Sequence, residues 1–230
     1  MQEAQKICII TGGNSGIGKA TAIELAKMKY KILLLVRDSE KSRQALDAIR
    51  SESTGGDIQQ FYVDLSSLDS IREVAAEISK QYSHIDILIN NAGVLKRKPE
   101  LSVDGIEMTH AVNLIAPFML TNLLIPLIKK SKAGRIINLT SELYKKGKIE
   151  FDSITTVEKF NGSNAYANSK LMVVVNTLAL ANKLQDSNVT VNCVHPGVVG
   201  TDVMRDYPTW FNKILNLFIS KPAIGAQPSV

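Results

Sequence analysis

The chain has 230 residues, of which 45% are hydrophobic and 21% are charged, and its formal net charge is +5. This length suits one α/β domain with a large buried core, and the composition excludes a wholly disordered chain. No Lys/Arg cluster is interleaved with aromatic residues, so we expect a mildly basic surface and no nucleic-acid partner.

Short apolar runs alternate with longer helical patterns along the chain. The runs are nearly continuous in apolar residues, which is typical of parallel strands covered on both faces. The predicted strands are 6–10, 31–36, 58–63, 85–89, 135–139 and 189–194. The predicted helices lie near 17–29, 40–52, 68–82, 105–130 and 164–184. This alternation predicts one parallel sheet with right-handed crossovers, in a single domain over 1–230.

The first strand is followed by the glycine-rich stretch "TGGNSGIGKAT", residues 11–21. A nucleotide triphosphatase loop would need Ser or Thr directly after Lys19 to hold Mg²⁺, and this chain has Ala20 there. A dinucleotide-binding turn fits better, because Gly12 permits a tight turn while Gly16 and Gly18 let the backbone approach a pyrophosphate. We expect the cofactor contacts of this loop to come from Gly12, Asn14, Ser15, Gly16, Ile17 and Gly18.

The second strand ends in "VRD", with Arg37 placed 19 residues after Gly18. An Asp or Glu at this tip would bind the ribose 2′-hydroxyl of NAD, whereas an Arg suits the 2′-phosphate of NADP. The sequence therefore favours NADP(H) over NAD(H). The alternative is that Arg37 is an ordinary solvated surface charge.

The stretch "AYANSK" places Tyr166 and Lys170 at i and i+4, on one face of the predicted helix 164–184. A free tyrosine has a pKa of about 10, and a lysine ammonium one turn away favours the phenolate and is expected to lower that pKa. The pair would then exchange a proton with a substrate oxygen. Ser141, at the end of strand 135–139, could donate a hydrogen bond to a carbonyl oxygen. Asn113 lies in an apolar helix and needs a partner, since an unpaired amide costs about 1–3 kcal/mol.

Two further segments follow predicted strands. "NNAG" covers residues 90–93, and "HPGVVGTD" covers residues 195–202. Open α/β sheets bind ligands beyond the carboxyl ends of their strands, so both segments are expected to border a ligand.

Taken together, these motifs resemble the short-chain dehydrogenase/reductase family over about residues 6–202. The residues "VRD", the 25-residue gap from Ser141 to Tyr166 and "VHPGVV" resemble its retinol dehydrogenase-like branch. The resemblance implies a Rossmann fold, a doubly wound parallel sheet of about six strands in the order 3-2-1-4-5-6 with helices on both faces.

The resemblance also implies roles for individual residues. Tyr166 acts as acid in reduction and base in oxidation, Lys170 lowers its pKa and binds the nicotinamide ribose, and Ser141 orients the carbonyl. Asn113 holds a water that links Lys170 to solvent. The remaining implied cofactor contacts are Asp64, Leu65, Asn91, Ala92, Gly93, Pro196, Gly197, Val198 and Thr201.

Features at the two ends depart from that family. We see no membrane anchor, signal segment or apolar run of about 20 residues, which predicts a cytoplasmic protein, with peripheral membrane contact as an alternative. The usual seventh strand is expected to be absent, which would leave strand 189–194 at an exposed edge. The apolar segment 203–220 reads as a lid over a lipophilic site or as ordinary core.

The leading hypothesis is an NADP(H)-dependent oxidoreductase that interconverts a carbonyl and an alcohol on a lipophilic small molecule, such as a retinal-, steroid- or ketone-like compound. The alternative is a non-catalytic dinucleotide-binding sensor or scaffold. We expect no metal site, because His84 and His110 lack ligand spacing, and we leave a homo-oligomer open.

Overall fold

The computed structural model describes residues 5–54 and 56–197. Its sheet consists of β1 (Ile7–Thr11), β2 (Lys31–Val36), β3 (Ile58–Tyr62), β4 (Ile87–Asn90), β5 (Gly134–Leu139) and β6 (Val189–Val194). All neighbouring strands are parallel, and their order is β3-β2-β1-β4-β5-β6. This confirms the predicted Rossmann-type sheet and its strand order.

The helices are α1 (Gly16–Lys27), α2 (Glu40–Glu52), α3 (Leu68–Gln81), α4 (Met108–His110), α5 (Ala116–Ile128) and α6 (Gly162–Lys183). A π-helical turn, Ala111–Ile115, joins α4 to α5. Two 3₁₀ helices, Glu142–Lys146 and Phe151–Ile154, lie between β5 and α6. The predicted strands and long helices are therefore present, whereas the sequence patterns did not predict the 3₁₀ helices.

Side chains of the central strands alternate between two apolar layers. Ile9, Leu33 and Leu35 belong to a core with α3, α5 and α6, whereas Cys8 and Leu34 belong to a second core with α1 and α2. Because successive residues of a strand point to opposite faces, continuous apolar strands require a cover on each face. The helices provide that cover and leave the carboxyl ends of the strands free to carry loops.

The predicted helix 105–130 begins at Met108 in the structure. Glu107 precedes it, and its carboxylate accepts hydrogen bonds from the backbone N–H groups of Thr109 and His110. The stretch Met108–Ile128 contains an 18-residue window with a mean hydropathy of 1.9, so by length and composition alone it could cross a membrane. The sequence analysis missed this stretch. Half of that window is buried in the protein, and Leu120 and Leu124 pack in the core, as expected for a core helix.

Three expectations fall wholly or partly outside the described residues. The segment 203–220 and the seventh strand concern residues beyond 197, and so do Val198 and Thr201. Within the described residues, β6 pairs with β5 at one end of the sheet. The single domain over 1–230 stays a prediction.

Candidate active site

The loop between β1 and α1 has the backbone shape that the glycine spacing predicts. Gly12 and Gly16 have φ values of +67° and +53°, in the left-handed region where side chains are strained. A Cβ on Gly12 would also lie 3.1 Å from the Cα of Ala92, so the loop packs tightly on the "NNAG" segment. These two glycines therefore give the loop a conformation that other residues could not adopt cheaply.

Gly18 is explained by packing inside the protein. A Cβ at this position would lie 2.4 Å from Nδ2 of Asn91 and 2.7 Å from the carbonyl oxygen of Gly12. The absent side chain lets the first turn of α1 lie against the backbone of its own loop. The expected approach of Gly18 to a pyrophosphate stays a prediction.

Replacing Gly18 by alanine is expected to lower the free energy of unfolding by about 1–3 kcal/mol, because the new methyl meets the backbone of Gly12 and the hydrogen-bonded side-chain amide of Asn91. Gly13→Ala is the matched control. The one atom closer than 3.0 Å to its Cβ would be the terminal Cδ2 of Leu34, at 2.4 Å, which is the end of a side chain and not backbone. Chemical denaturation measures both variants, and equal losses would contradict this account of Gly18.

The amino end of α1 fits an anionic group. Ser15 is its N-cap but makes no side-chain capping bond, and the first turn has no acidic residue. The N–H groups of that turn, which begins at Gly16 and includes Ile17, therefore face no competing carboxylate of the helix, and the helix dipole favours an anion there. The loop glycines and this helix end fit the pyrophosphate of a dinucleotide.

At the tip of β2, the adjacent residues Arg37 and Asp38 differ in their partners. Asp38 accepts a 2.6 Å hydrogen bond from Nη1 of Arg43, whose Nε also contacts Glu40 at 3.2 Å. Arg37 is exposed, and its guanidinium enters no ion pair within residues 5–54 and 56–197. The carboxylate beside Arg37 is thus neutralised by another residue, which leaves the Arg37 guanidinium available for an anionic ligand.

The "NNAG" segment is fixed to the end of β1. The Thr11 hydroxyl accepts hydrogen bonds from the N–H groups of Asn91 and Ala92, both at 3.0 Å, and Asn91 Nδ2 donates to the Thr11 carbonyl. The sequence analysis missed Thr11, although a polar residue that ends an apolar strand is a usable signal. Asp64 uses Oδ1 within its own turn, where it accepts from the N–H and hydroxyl of Ser66, and Leu65 packs against the core.

Ser141 and Tyr166 meet at the carboxyl edge of the sheet. Ser141 caps the 3₁₀ helix that follows β5, where its hydroxyl accepts from the Leu143 N–H. It lies close enough to the phenol of Tyr166, which is 8% exposed, to affect the pKa of that phenol. Lys170 lies one turn further along α6, with Nζ 5.7 Å from the centre of the Tyr166 ring. The structure therefore brings together the predicted serine, tyrosine and lysine.

Burial, more than the lysine charge, sets the acidity of the phenol. Desolvation by burial raises the pKa of Tyr166, and the neighbouring Ser141 side chain opposes that rise. This differs from the expectation that Lys170 lowers the pKa. The cause is the burial of the phenol, which disfavours its charged form. Lys170 is also buried, at 4% exposed, and donates from Nζ to the Leu139 carbonyl at 2.8 Å. Its burial lowers the pKa of Lys170 from 10.5 to about 8.

That lysine pKa predicts a pH-dependent stability. The folded protein releases this proton near pH 8, whereas the unfolded chain keeps it to about 10.5. Between these values the unfolded state binds more protons, so the stability of the wild type rises with pH relative to Lys170→Met. We expect the difference in unfolding free energy to move in favour of the wild type from below pH 8 to pH 10.5.

Lys183→Met is the control for that measurement, because Lys183 is an exposed residue in the last turn of the same helix. Urea denaturation at several pH values measures both differences. The same pH trend in both variants would contradict a special role for the burial of Lys170.

Asn113 lies in the π-helical turn and is 2% exposed. Its Oδ1 accepts from the Val94 N–H at 2.8 Å, and Nδ2 donates to the Val94 carbonyl and to the hydroxyl of Ser169. The side-chain amide of Asn113 therefore has the hydrogen-bond partners that its place in an apolar helix predicts. Both amide protons of Asn113 are used inside the protein. The water that the resemblance places on Asn113 stays a prediction, and it would have to bond an atom of Asn113 other than Nδ2.

The side chains of Asn113 and Lys170 converge on Gly93. A Cβ there would lie 3.4 Å from Oδ1 of Asn113 and 3.6 Å from Nζ of Lys170. Ser169, which the sequence analysis did not select, has a fully buried hydroxyl that joins the Asn113 side chain to the Tyr166 carbonyl. The buried polar groups therefore couple the "NNAG" segment to the helix of Tyr166.

The turn after β6 borders the same edge. Gly197 has a φ of +81°, and Nε2 of His195 lies 3.9 Å from Oε2 of Glu142. Pro196 follows His195 directly, so the turn lies beside the residue next to Ser141. Across the described ranges, no group of three His, Cys, Asp or Glu residues could hold a metal ion.

Comparison with known proteins gives one family. The model of the family described as short chain dehydrogenase matches residues 6–211. Retinol dehydrogenase 13 of Homo sapiens is 42% identical over 233 residues, which cover 97% of this chain and 70% of the relative. Retinol dehydrogenase 14 of Mus musculus is 37% identical over 241 residues, with 98% and 72% covered.

Solved structures agree with these relatives. A short chain dehydrogenase from Shigella flexneri, complexed with NADP, has a TM-score of 0.74 and 27% identity, and the match covers 95% of this chain and 86% of that one. A protein from Beutenbergia cavernae described as an NAD(P)-dependent gluconate 5-dehydrogenase, with NADP bound at low occupancy, has a TM-score of 0.76 and 26% identity. That match covers 99% of this chain and 88% of the other.

Proposed function

This chain belongs to the short-chain dehydrogenase family, in its retinol dehydrogenase-like branch, and we propose that it uses NADP(H) to interconvert an alcohol and a carbonyl on a lipophilic small molecule. As a member of that family it is an oxidoreductase that acts on CH–OH donors. The observation that carries the proposal is the meeting of Ser141, Tyr166 and Lys170 at the carboxyl edge of the sheet.

In this proposal the tyrosine moves the proton. During reduction the Tyr166 phenol donates its proton to the substrate carbonyl oxygen, and during oxidation the phenolate takes the proton from the alcohol. Ser141 donates its hydroxyl proton to the same oxygen, while its own oxygen accepts from the Leu143 N–H. When the cofactor is bound, its nicotinamide ring gives or accepts the hydride.

Lys170 would hold the nicotinamide ribose. Its Nζ now donates one hydrogen bond to the Leu139 carbonyl, and an ammonium has three protons to donate. Two protons therefore remain for ribose hydroxyls and for exchange with Tyr166. The same ammonium, once the cofactor excludes water, would favour the phenolate more strongly than it does in the geometry described above.

The NADP preference rests on the tip of β2. An exposed Arg37 guanidinium, beside an Asp38 that Arg43 already neutralises, suits a 2′-phosphate better than a 2′-hydroxyl. NADP is also the ligand that both solved relatives carry by description. The loop glycines and the amino end of α1 would hold the pyrophosphate.

The lipophilic substrate class has two sources of support. The relatives in sequence are described as retinol dehydrogenases. In addition, the segment after Ser141 carries Leu143, Ile149 and Phe151, which are 37%, 48% and 74% exposed. This segment lies against α6, since the Lys148 N–H donates to Oδ1 of Asn168, two residues after Tyr166. These apolar groups could form one wall of a substrate pocket.

A panel of carbonyl compounds tests the substrate class. NADPH consumption is measured with long-chain aldehydes, cyclic ketones and short polar aldehydes at matched concentrations, with Tyr166→Phe as the blank. We expect higher kcat/KM for the apolar compounds. Turnover confined to the short polar aldehydes would contradict the lipophilic class and leave the family assignment intact.

We also propose that the protein acts in a reducing compartment, the cytoplasm, with peripheral membrane contact as the alternative. Cys8 and Cys193, the two cysteines of the sequence, are both free in the described structure. Free thiols are the usual state in such compartments.

A further inference from the structure

Ser42 is a fully buried polar side chain in an otherwise exposed helix turn. It lies in the first turn of α2, is 0% exposed, and stands between two exposed residues, Lys41 and Arg43. A buried hydroxyl is unfavourable unless its hydrogen bonds are made. The partners of this serine therefore indicate which parts of the protein it joins.

The hydroxyl of Ser42 uses its whole hydrogen-bonding capacity. It donates its one proton to the Arg37 carbonyl at 2.7 Å, and it accepts from Nδ2 of Asn14 at 3.0 Å. The hydroxyl of Ser39 lies 2.9 Å away and must be the donor in that pair, because the Ser42 proton is already committed. One donated and two accepted bonds saturate a serine hydroxyl.

These partners come from three different elements. Asn14 belongs to the glycine-rich loop, Arg37 to the tip of β2, and Ser39 is the N-cap of α2. A fourth tie comes from β3, since Nε2 of Gln60 donates to the Ser42 carbonyl. Ser42 thus sets the position of the Arg37 backbone relative to the loop.

We infer that Ser42 is a positioning residue for the adenosine end of the cofactor, which it serves by fixing the separation between the glycine-rich loop and Arg37. The inference rests on the proposed function, because it assumes a pyrophosphate at the loop and a 2′-phosphate at Arg37. A ligand with two anionic groups at a fixed spacing binds best when both receiving sites are held at that spacing before it arrives.

Calorimetric titration with two adenosine ligands tests this inference. Adenosine 2′,5′-bisphosphate would bridge both sites, whereas 5′-AMP would reach only the loop. For Ser42→Ala we expect the Kd of the bisphosphate to rise about tenfold, equivalent to about 1.4 kcal/mol, with a clearly smaller rise for 5′-AMP. In turnover, KM for NADPH should rise while kcat at saturating NADPH is kept, because Ser42 does not touch the reacting atoms.

Ser53→Ala is the matched control. Ser53 is a buried serine at the other end of α2, 1% exposed, whose hydroxyl donates to the Ile49 carbonyl. It should lose stability without changing the ratio of the two Kd values. Ser42→Cys fills a similar space with a poor hydrogen-bonding group. It replaces Ser42→Ala in the titrations if the alanine variant does not fold.

Two results would overturn the inference about Ser42 alone: the two serine variants change the ratio equally, or Ser42→Ala weakens both ligands to the same degree. A wild-type protein that binds the bisphosphate no more tightly than 5′-AMP would overturn the proposed NADP preference, and the Ser42 inference with it.

Discussion

Tyr166→Phe is expected to lower kcat by about 10²- to 10⁴-fold while the protein still folds and binds NADPH, because it removes only the group that exchanges a proton with the substrate oxygen. Phenylalanine keeps the ring that packs at this buried position, which is 8% exposed. The loss should therefore appear in kcat, measured by NADPH consumption, and much less in the Kd for NADPH.

Tyr30→Phe is the control for this variant, since Tyr30 packs beside helix α1 and Lys6, away from the carboxyl edge of the sheet. It should retain wild-type kcat. Near-normal turnover by Tyr166→Phe would remove the phenol from the proposed mechanism and direct attention to Ser141.

The second large effect concerns cofactor choice. Arg37→Asp is expected to lower kcat/KM for NADPH by about 10- to 150-fold and to raise it for NADH. A hydrogen bond to a charged group is worth about 1.5–3 kcal/mol, and a carboxylate at this tip would repel the 2′-phosphate while accepting from a ribose hydroxyl. Steady-state kinetics with both cofactors measures the ratio.

Arg135→Asp makes the same change of charge at a distant place. Arg135 is exposed and lies at the amino end of β5, at the opposite edge of the sheet from the proposed ligand groups. It should leave the ratio of the two kcat/KM values unchanged. An unchanged ratio in Arg37→Asp as well would show that Arg37 does not select the cofactor.

The sheet could be predicted from sequence because its strands are buried on both faces. Runs such as "KILLLV" have no solvent face, so their apolar continuity marks both the strand and its parallel neighbours. The retinol dehydrogenase-like membership could also be predicted, since the motifs lie at strand ends whose position follows from the same alternation. The need for glycine at positions 12 and 16 could be predicted as well, because the turn after β1 requires positive φ values there.

Other features depend on contacts between distant parts of the chain, which no local pattern reveals. Asn113 lies in a π-helical turn, and its side-chain amide is hydrogen-bonded to Val94 and Ser169, which are distant in sequence. The acidity of Tyr166 depends on how deeply α6 buries it, and that burial reversed the direction expected from Lys170 alone. Ser42 looks like an exposed helix residue until Asn14 is seen beside it.

The most direct test of the central claim compares binding with turnover in the wild-type protein. The Kd for NADPH is measured by calorimetry, and NADPH consumption is then followed with the carbonyl panel at saturating cofactor. We predict that the protein binds NADPH and consumes it with at least one apolar carbonyl. Tight NADPH binding without consumption by any compound of the panel would contradict the account and indicate a dinucleotide-binding module with no catalytic role.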